Sequence, residues 1–166
     1  MERQSERNES IKKLGELIKD IKVAMMTTVD TDGSLRSRPM MTQQEEFDGD
    51  LWFFTETTAP KVFELRQEAH VNLSYAEPDK QRYVSVSGRG ELSRDRQKIE
   101  SLWNPVYKAW FPDGLESPNL GLIKVRVEKA EYWDSPSGTV VQLVGFVKAL
   151  ATGERVDAGE NEKVDL

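Results

Sequence analysis

The chain contains no cysteine and a single histidine, His70, in 166 residues. The first absence rules out disulfides, thiolate zinc sites and cysteine nucleophiles, and it fits a reducing compartment, so a cytoplasmic location is the expectation. The second leaves no convincing Ser-His-Asp set, because His70 follows a predicted helix, where a partly charged imidazole is simply a favourable end residue. With no His or Cys cluster and with the carboxylates dispersed, no metal site is expected. No apolar run approaches the roughly 20 residues of a bilayer span, and "MERQSERNES" lacks the charged-then-apolar order of an export signal. Positive charge is also short, with 23 basic against 29 acidic residues and a net charge of -6. Nucleic acid and anionic membrane are therefore poor partners, since both need a cationic face.

The residues that are present read as one domain over 1–150 with a flexible acidic tail at 151–166. Ile11, Leu14, Leu17, Ile18 and Ile21 recur at helical spacing, predicting a helix from about Ser10 to Asp20. "VAMMTTVD" and "SLRSRPMMTQ" flank a glycine-bearing turn and read as a hairpin. "DLWFFTE", "VNLSYAE", "RYVSVSGRGEL" and "LIKVRVEKAEYWD" supply four more strands. A helix follows Thr58, and "SRDRQKIESLW" forms another with Ser93 as its cap. The proline- and glycine-rich "NPVYKAWFPDGLESPNLG" is irregular, and "TVVQLVGFVKALATG" has helical spacing. Hairpin-linked strands with helices inserted between them argue against a doubly wound sheet. They predict a mainly β fold, a small six-stranded antiparallel barrel that is closed or partly closed.

Chemistry concentrates in two segments. In "FFTETTAPKVFELRQ", Thr57 or Thr58 is the natural helix cap and Pro60 suits a first turn, which leaves Lys61 where the helix dipole favours negative charge. Either the ammonium points into water or an anion sits there, held by backbone N–H groups and Lys61 together. In "LRSRPMM", strand alternation puts Arg36 and Arg38 on one face about 7 Å apart. That face is either solvated or carboxylate-paired, or it is a fork for phosphate. Pro39, which cannot donate to a ladder, marks an edge or bulge. Because only "QQEEFDGD" separates this strand from the next, the two are expected to be hairpin neighbours, bringing both arginines to Lys61. Met40, Phe54 and a tryptophan would then cover a flat ring.

Five ordered stretches, "SLRSRPM", "LWFFTETTAPKVFEL", "VNLSYAEPDKQRYVSVSGRGEL", "LWNPVYKAWFPDG" and "AEYWDSPSG", resemble the motifs of the general stress protein 26 family. That family belongs to the pyridoxamine 5'-phosphate oxidase-like FMN-binding split β-barrels. The resemblance spans about residues 10–138 and implies a Greek-key split barrel and a homodimer with two FMN molecules in clefts between protomers. It implies that Arg36, Ser37, Arg38, Pro39 and Met40 line the flavin and its phosphate arm. Phe54 and Thr55 would contact the ring and ribityl region, with Lys61 on the phosphate. From the residues alone, Ser85 and Ser87 share one strand face, which either lines the partner's cofactor cleft or is an ordinary half-exposed hydroxyl face. Trp103 and Trp110, seven apart, read as core packing, as does Trp133, whereas the resemblance points Trp110 to the flavin edge. Where the family commonly carries a serine two places before the lysine, this chain has Ala59, so one hydroxyl donor is missing unless Thr57 or Thr58 replaces it. The tail after Asp134 holds only Arg155, unlike the arginine-containing substrate motif of the true vitamin oxidases, so oxidation of pyridoxamine phosphate is not expected. The resulting expectation is an FMN-binding stress-protein-like chain, an oxidoreductase exchanging electrons with a reduced nicotinamide or small organic partner. The alternatives are a non-catalytic flavin sensor or buffer, or a split barrel holding haem or a deazaflavin.

Overall fold

The computed structural model describes residues 2–135, 147–153 and 159–166. The first helix, α1 (Glu2–Ile18), begins well before Ser10, with residues 2–9 exposed and Leu14, Leu17 and Ile18 buried. Strands β1 (Val23–Val29) and β2 (Leu35–Met41) form the hairpin in continuous register from Val23↔Met41 to Val29↔Leu35. Their turn is closed by Asp30 N–H donating to Ser34 O at 2.8 Å and relies on Gly33 at φ 84°.

The next strand, β3 (Asp50–Glu56), does not pair with β2. It pairs with β6 (Leu120–Asp134), and the sheet runs β2-β1-β4-β5-β6-β3. The expected hairpin of β2 and β3 is thus replaced by two opposite edges of one curled sheet. The connection between them crosses the gap instead of turning back. Pro39 gives the reason on the β2 side, because its missing N–H suits an edge that carries no further ladder. After β3 the chain makes α2 (Pro60–Gln67), then β4 (His70–Glu77) beside β1, and the meander through β5 (Arg82–Ser93) to β6. This is the half-barrel that the strand pattern predicts.

One long strand joins the parts. The first half of β6 carries β3, while its second half carries β7 (Glu160–Asp165), a seventh strand in the segment that the sequence reads as a flexible tail. Past the end of β3, β6 would otherwise show unpaired backbone groups, and Val164 and Leu166 add apolar contacts to the core. Of the predicted tail helix, 147–152 are helical, and 136–146 lie outside the described residues. On the other side of β6, the register with β5 shifts between Ser87 and Gly88. A Cβ at Gly88 would lie 2.2 Å from Arg126 O, so only glycine lets the strands approach there.

Alternation along the strands fills the interior with Met26, Leu73, Val84, Val86, Ile123 and Val125, each at most 2 % exposed. The α1 residues Leu14, Leu17 and Ile18 join this core, as does Leu65 of α2. A second cluster, Phe54, Ile99, Tyr107, Leu120 and Leu122, lies under α3 (Arg96–Leu102) and the 3-10 turn Pro105–Ala109. The cap of α3 is Asp95, whose carboxylate accepts from Gln97 N and Lys98 N. Ser93, the predicted cap, ends β5, and its hydroxyl accepts from Asp95 N–H. Among the described residues no helix is long and apolar enough to cross a membrane.

Candidate functional site

At the split between β2 and β3, Ala59 and Lys61 at the start of α2 line one cavity with Met40 and Met41 of β2 and Phe54 and Thr55 of β3. Neither Thr57 nor Thr58 caps that helix: its N-cap is Ala59, in extended conformation and with no side-chain cap bond. Thr57 is buried and Thr58 exposed, and Pro60 takes the first helical position. Lys61 therefore stands in the first turn beside backbone N–H groups that no side chain caps. It makes no ion pair among the described residues. Burial pushes its ammonium pKa down, and the Arg38 charge pushes it down further, against partial support from Glu56 and Glu64.

Arg36 and Arg38 do share a face, the inward one, opposite the fully buried Thr28 and Met26. What they meet there is Glu64 of α2, only 3 % exposed. Arg36 Nη1 donates to Glu64 Oε1 at 2.8 Å and Arg38 Nη2 to Oε2 at 2.9 Å. The Thr28 hydroxyl also donates to Oε2, and Arg38 Nη1 reaches that hydroxyl at 2.6 Å. Burial alone would raise the Glu64 carboxyl. The hydrogen bonds from Thr28 and Arg38 and the two guanidinium charges hold it below its ordinary value. The carboxylate-paired reading of the two arginines is thus realised. Asp30 Oδ2 also lies 3.7 Å from Arg36 Nη1, so of the three cations around the helix start Lys61 is the one left without an ion pair among the described residues.

Adjacent to Lys61 is a cavity of about 270 Å³ whose walls include Met40, Phe54, Thr55, Tyr107, Trp110 and Phe111. Phe54 forms its floor, packed edge-on to Trp103 at 5.5 Å between ring centroids and tilted to Tyr107 at 5.3 Å. Trp110 is 57 % exposed at the rim, freed from helical packing by the prolines on either side of it. Tyr107 Oη donates to Gln43 Oε1 at 3.1 Å, tying the 3-10 turn to the segment that crosses the split.

The remaining predicted residues lie elsewhere. Ser37 and Pro39 point outward, with Ser37 Oγ 2.7 Å from Thr27 Oγ1. Ser85 and Ser87 are on the same outer sheet face, where Asn72 donates to Ser85 Oγ at 3.0 Å. This face also exposes Val23, Met25, Tyr83 and Trp133, the last at 40 % instead of packed as the sequence reading expects. The structure thus brings Met40, Phe54, Thr55, Lys61 and Trp110 to one cavity with Arg36 and Arg38 near its cationic end, and separates Ser37, Pro39, Thr58, Ser85 and Ser87 from it. Glu64 and Thr28 are the residues that sequence reasoning missed. The available signal was the like-charged arginine pair, which required an acid opposite it.

A family model described as "Pyridoxamine 5'-phosphate oxidase like" matches residues 9–157. The Neurospora crassa protein bli-3 is 32 % identical over 157 residues, covering 89 % of this chain and 75 % of that relative. Among solved structures, a putative general stress protein 26 from Jannaschia sp. superposes with a TM-score of 0.75 at 23 % identity, covering 98 % of this chain and 99 % of that one. The general stress FMN/FAD binding protein of Xanthomonas citri superposes with a TM-score of 0.67 at 27 % identity, covering 79 % and 92 %.

Proposed function

Since the chain belongs to the pyridoxamine 5'-phosphate oxidase-like family, we propose that it binds FMN, with the phosphate at the start of α2 and the flat ring against the Phe54 cavity. The observation that carries this reading is Lys61: a desolvated ammonium in a first helical turn, without an ion pair among the described residues, beside an aromatic-walled cavity. A phosphate monoester carries about -1.5 to -2 charges near pH 7, which complements the unpaired ammonium of Lys61 and the guanidinium N–H donors that Glu64 and Asp30 do not take. The FMN/FAD-binding stress protein of Xanthomonas citri supports the ligand class. Lys61, Arg36 and Arg38 hold the phosphate, Thr55 lies along the linker, and Met40, Phe54 and Trp110 exclude water from the ring. Bound FMN supplies reversible two-electron acceptance, and the chain contributes orientation and shielding.

The cavity in one chain is smaller than the roughly 300–1,000 Å³ of typical ligand pockets, which supports a homodimer whose second copy completes the cleft. The outer face with Val23, Met25, Tyr83 and Trp133 is the proposed contact, and it carries Ser85 and Ser87 toward the partner's cofactor. The proposed reaction is oxidation of a reduced nicotinamide or small organic donor, in the cytoplasm. A purely flavin-binding role is the second reading. It is favoured by the cavity wall, whose titratable side chains are Glu56, Lys61 and Tyr107, none placed as a proton relay.

The test is titration with FMN and with riboflavin, which lacks the phosphate. Lys61→Glu replaces a charge-assisted bond, about 1.5–3 kcal/mol, by repulsion. FMN affinity should fall on the order of 100-fold, with riboflavin nearly unchanged. Unaltered FMN affinity in that variant would refute the site. Anaerobic addition of reduced nicotinamide bleaches the flavin band within a turnover time in the oxidoreductase reading and leaves it intact in the binding reading.

A further inference from the structure

A second cationic surface lies at the opposite end of α2. A groove of about 760 Å³ runs between the end of that helix and the β5–β6 ladder, and its walls carry Arg66, Arg89, Arg94, Lys124 and Arg126 against one acid, Glu91. In a chain of net charge -6 this concentration of one sign is not compositional. It is also built into the sheet. Arg89 and Arg126 are direct register partners across β5 and β6, an arrangement of like charges that destabilises an antiparallel pair.

Nearby carboxylates relieve only part of this charge. Glu128 takes Arg89 at 3.1 Å, and Asp50, the register partner of Arg126 on β3, turns to Lys124 at 3.4 Å. Arg94 and Arg126 make no ion pair among the described residues, and the guanidinium of Arg66 lies over the Phe63 ring, 5.6 Å from its centroid. Three guanidiniums therefore border one groove without an ion pair among the described residues. The floor is apolar, from Val62 and Leu65 of α2 and Leu92 of β5, and Gly90 lets Leu65 seat against β5, since a Cβ there would lie 3.0 Å from it.

We propose that this groove is a second anion site, separate from the Lys61 cradle, which takes a small molecule bearing two or more phosphate charges. The paired, directed N–H donors of Arg66, Arg94 and Arg126 fit phosphate oxygens better than a single point charge would. Binding there neutralises the cross-strand arginine pair, so the anion stabilises the β5–β6 ladder that it sits on.

Calorimetric titration with inorganic pyrophosphate tests the site, and it is run both on the unaltered chain and on Lys61→Glu so that loss of the FMN cradle is not mistaken for loss of the groove. Pyrophosphate binding should persist in Lys61→Glu and weaken at least tenfold in Arg94→Ala/Arg126→Ala. Arg126→Glu should abolish it with little change in Tm, because the new carboxylate gains Arg89 across β5 but faces Asp50 across β3. Pyrophosphate should raise the Tm of the parent but not of Arg126→Glu. Binding that disappears with Lys61→Glu, or that survives both arginine variants, overturns the proposal. Equal affinity for citrate overturns the phosphate assignment.

Discussion

Removing the carboxylate of Glu64 is the most direct test of how the cationic end of the site is held together. In Glu64→Ala, Arg38 keeps its 2.6 Å contact with Thr28 but loses its 2.9 Å ion pair, and the Thr28 hydroxyl loses its buried acceptor. Breaking a buried ion pair from one side typically costs about 3–5 kcal/mol. The Arg36 side chain is 49 % exposed and regains water, so its share is small. The expected loss is therefore about 2–3 kcal/mol, or a Tm lowered by about 4–12 °C for a chain of this size. Urea denaturation at pH 7 measures it, with Arg36→Ala as the control expected to cost under about 1 kcal/mol. The pH dependence has a fixed sign. The folded-state pKa of Glu64 lies below its unfolded value, so its contribution is complete above the ordinary carboxylate range and is lost as pH falls through the folded value. The gap between parent and Glu64→Ala should accordingly close in acid. A loss under about 0.5 kcal/mol at pH 7, or an Arg36→Ala variant as damaging as Glu64→Ala, would refute the reasoning.

Three further outcomes follow from the same geometry. Lys61→Met should leave the ligand-free chain at least as stable as the parent at pH 7 while weakening FMN binding. Because the folded pKa of Lys61 is depressed, the parent's deficit is full at neutral pH and fades as pH rises from the folded toward the unfolded value, which thermal melts from pH 7 to 10.5 can follow. Gly88→Ala should cost more than about 3 kcal/mol, or prevent soluble expression, since its Cβ meets a backbone carbonyl that cannot rotate away; a variant with the parent's melting temperature would contradict the bulge. Trp133→Asp on the outer sheet face should shift the protein to monomer in sedimentation velocity and loosen FMN binding with it. An unchanged dimer would locate the interface elsewhere.

The half-barrel was legible because strand alternation and glycine-bearing turns are local signals. Val84, Val86, Ile123 and Val125 point inward for the same reason that they alternate with polar neighbours. Lys61 was legible too, since its position in a first helical turn follows from Pro60 alone. Caps were less so. Ala59 caps α2 although Thr57 and Thr58 stand beside it, and α3 is capped by Asp95 and not by Ser93, an equally good cap former two residues earlier.

The amino-acid sequence by itself determined the strand faces, the shared side of Arg36 and Arg38, and the apolar character of the cavity wall, all of which depend on neighbours within a few residues. Only the tertiary structure decided that β2 and β3 are opposite edges, that Glu64 lies between the two arginines, and that the last residues close the free edge of β6. These depend on which distant segments meet. A period of two or of 3.6 along the chain carries no information about that, whereas burial of one carboxylate among three cations does.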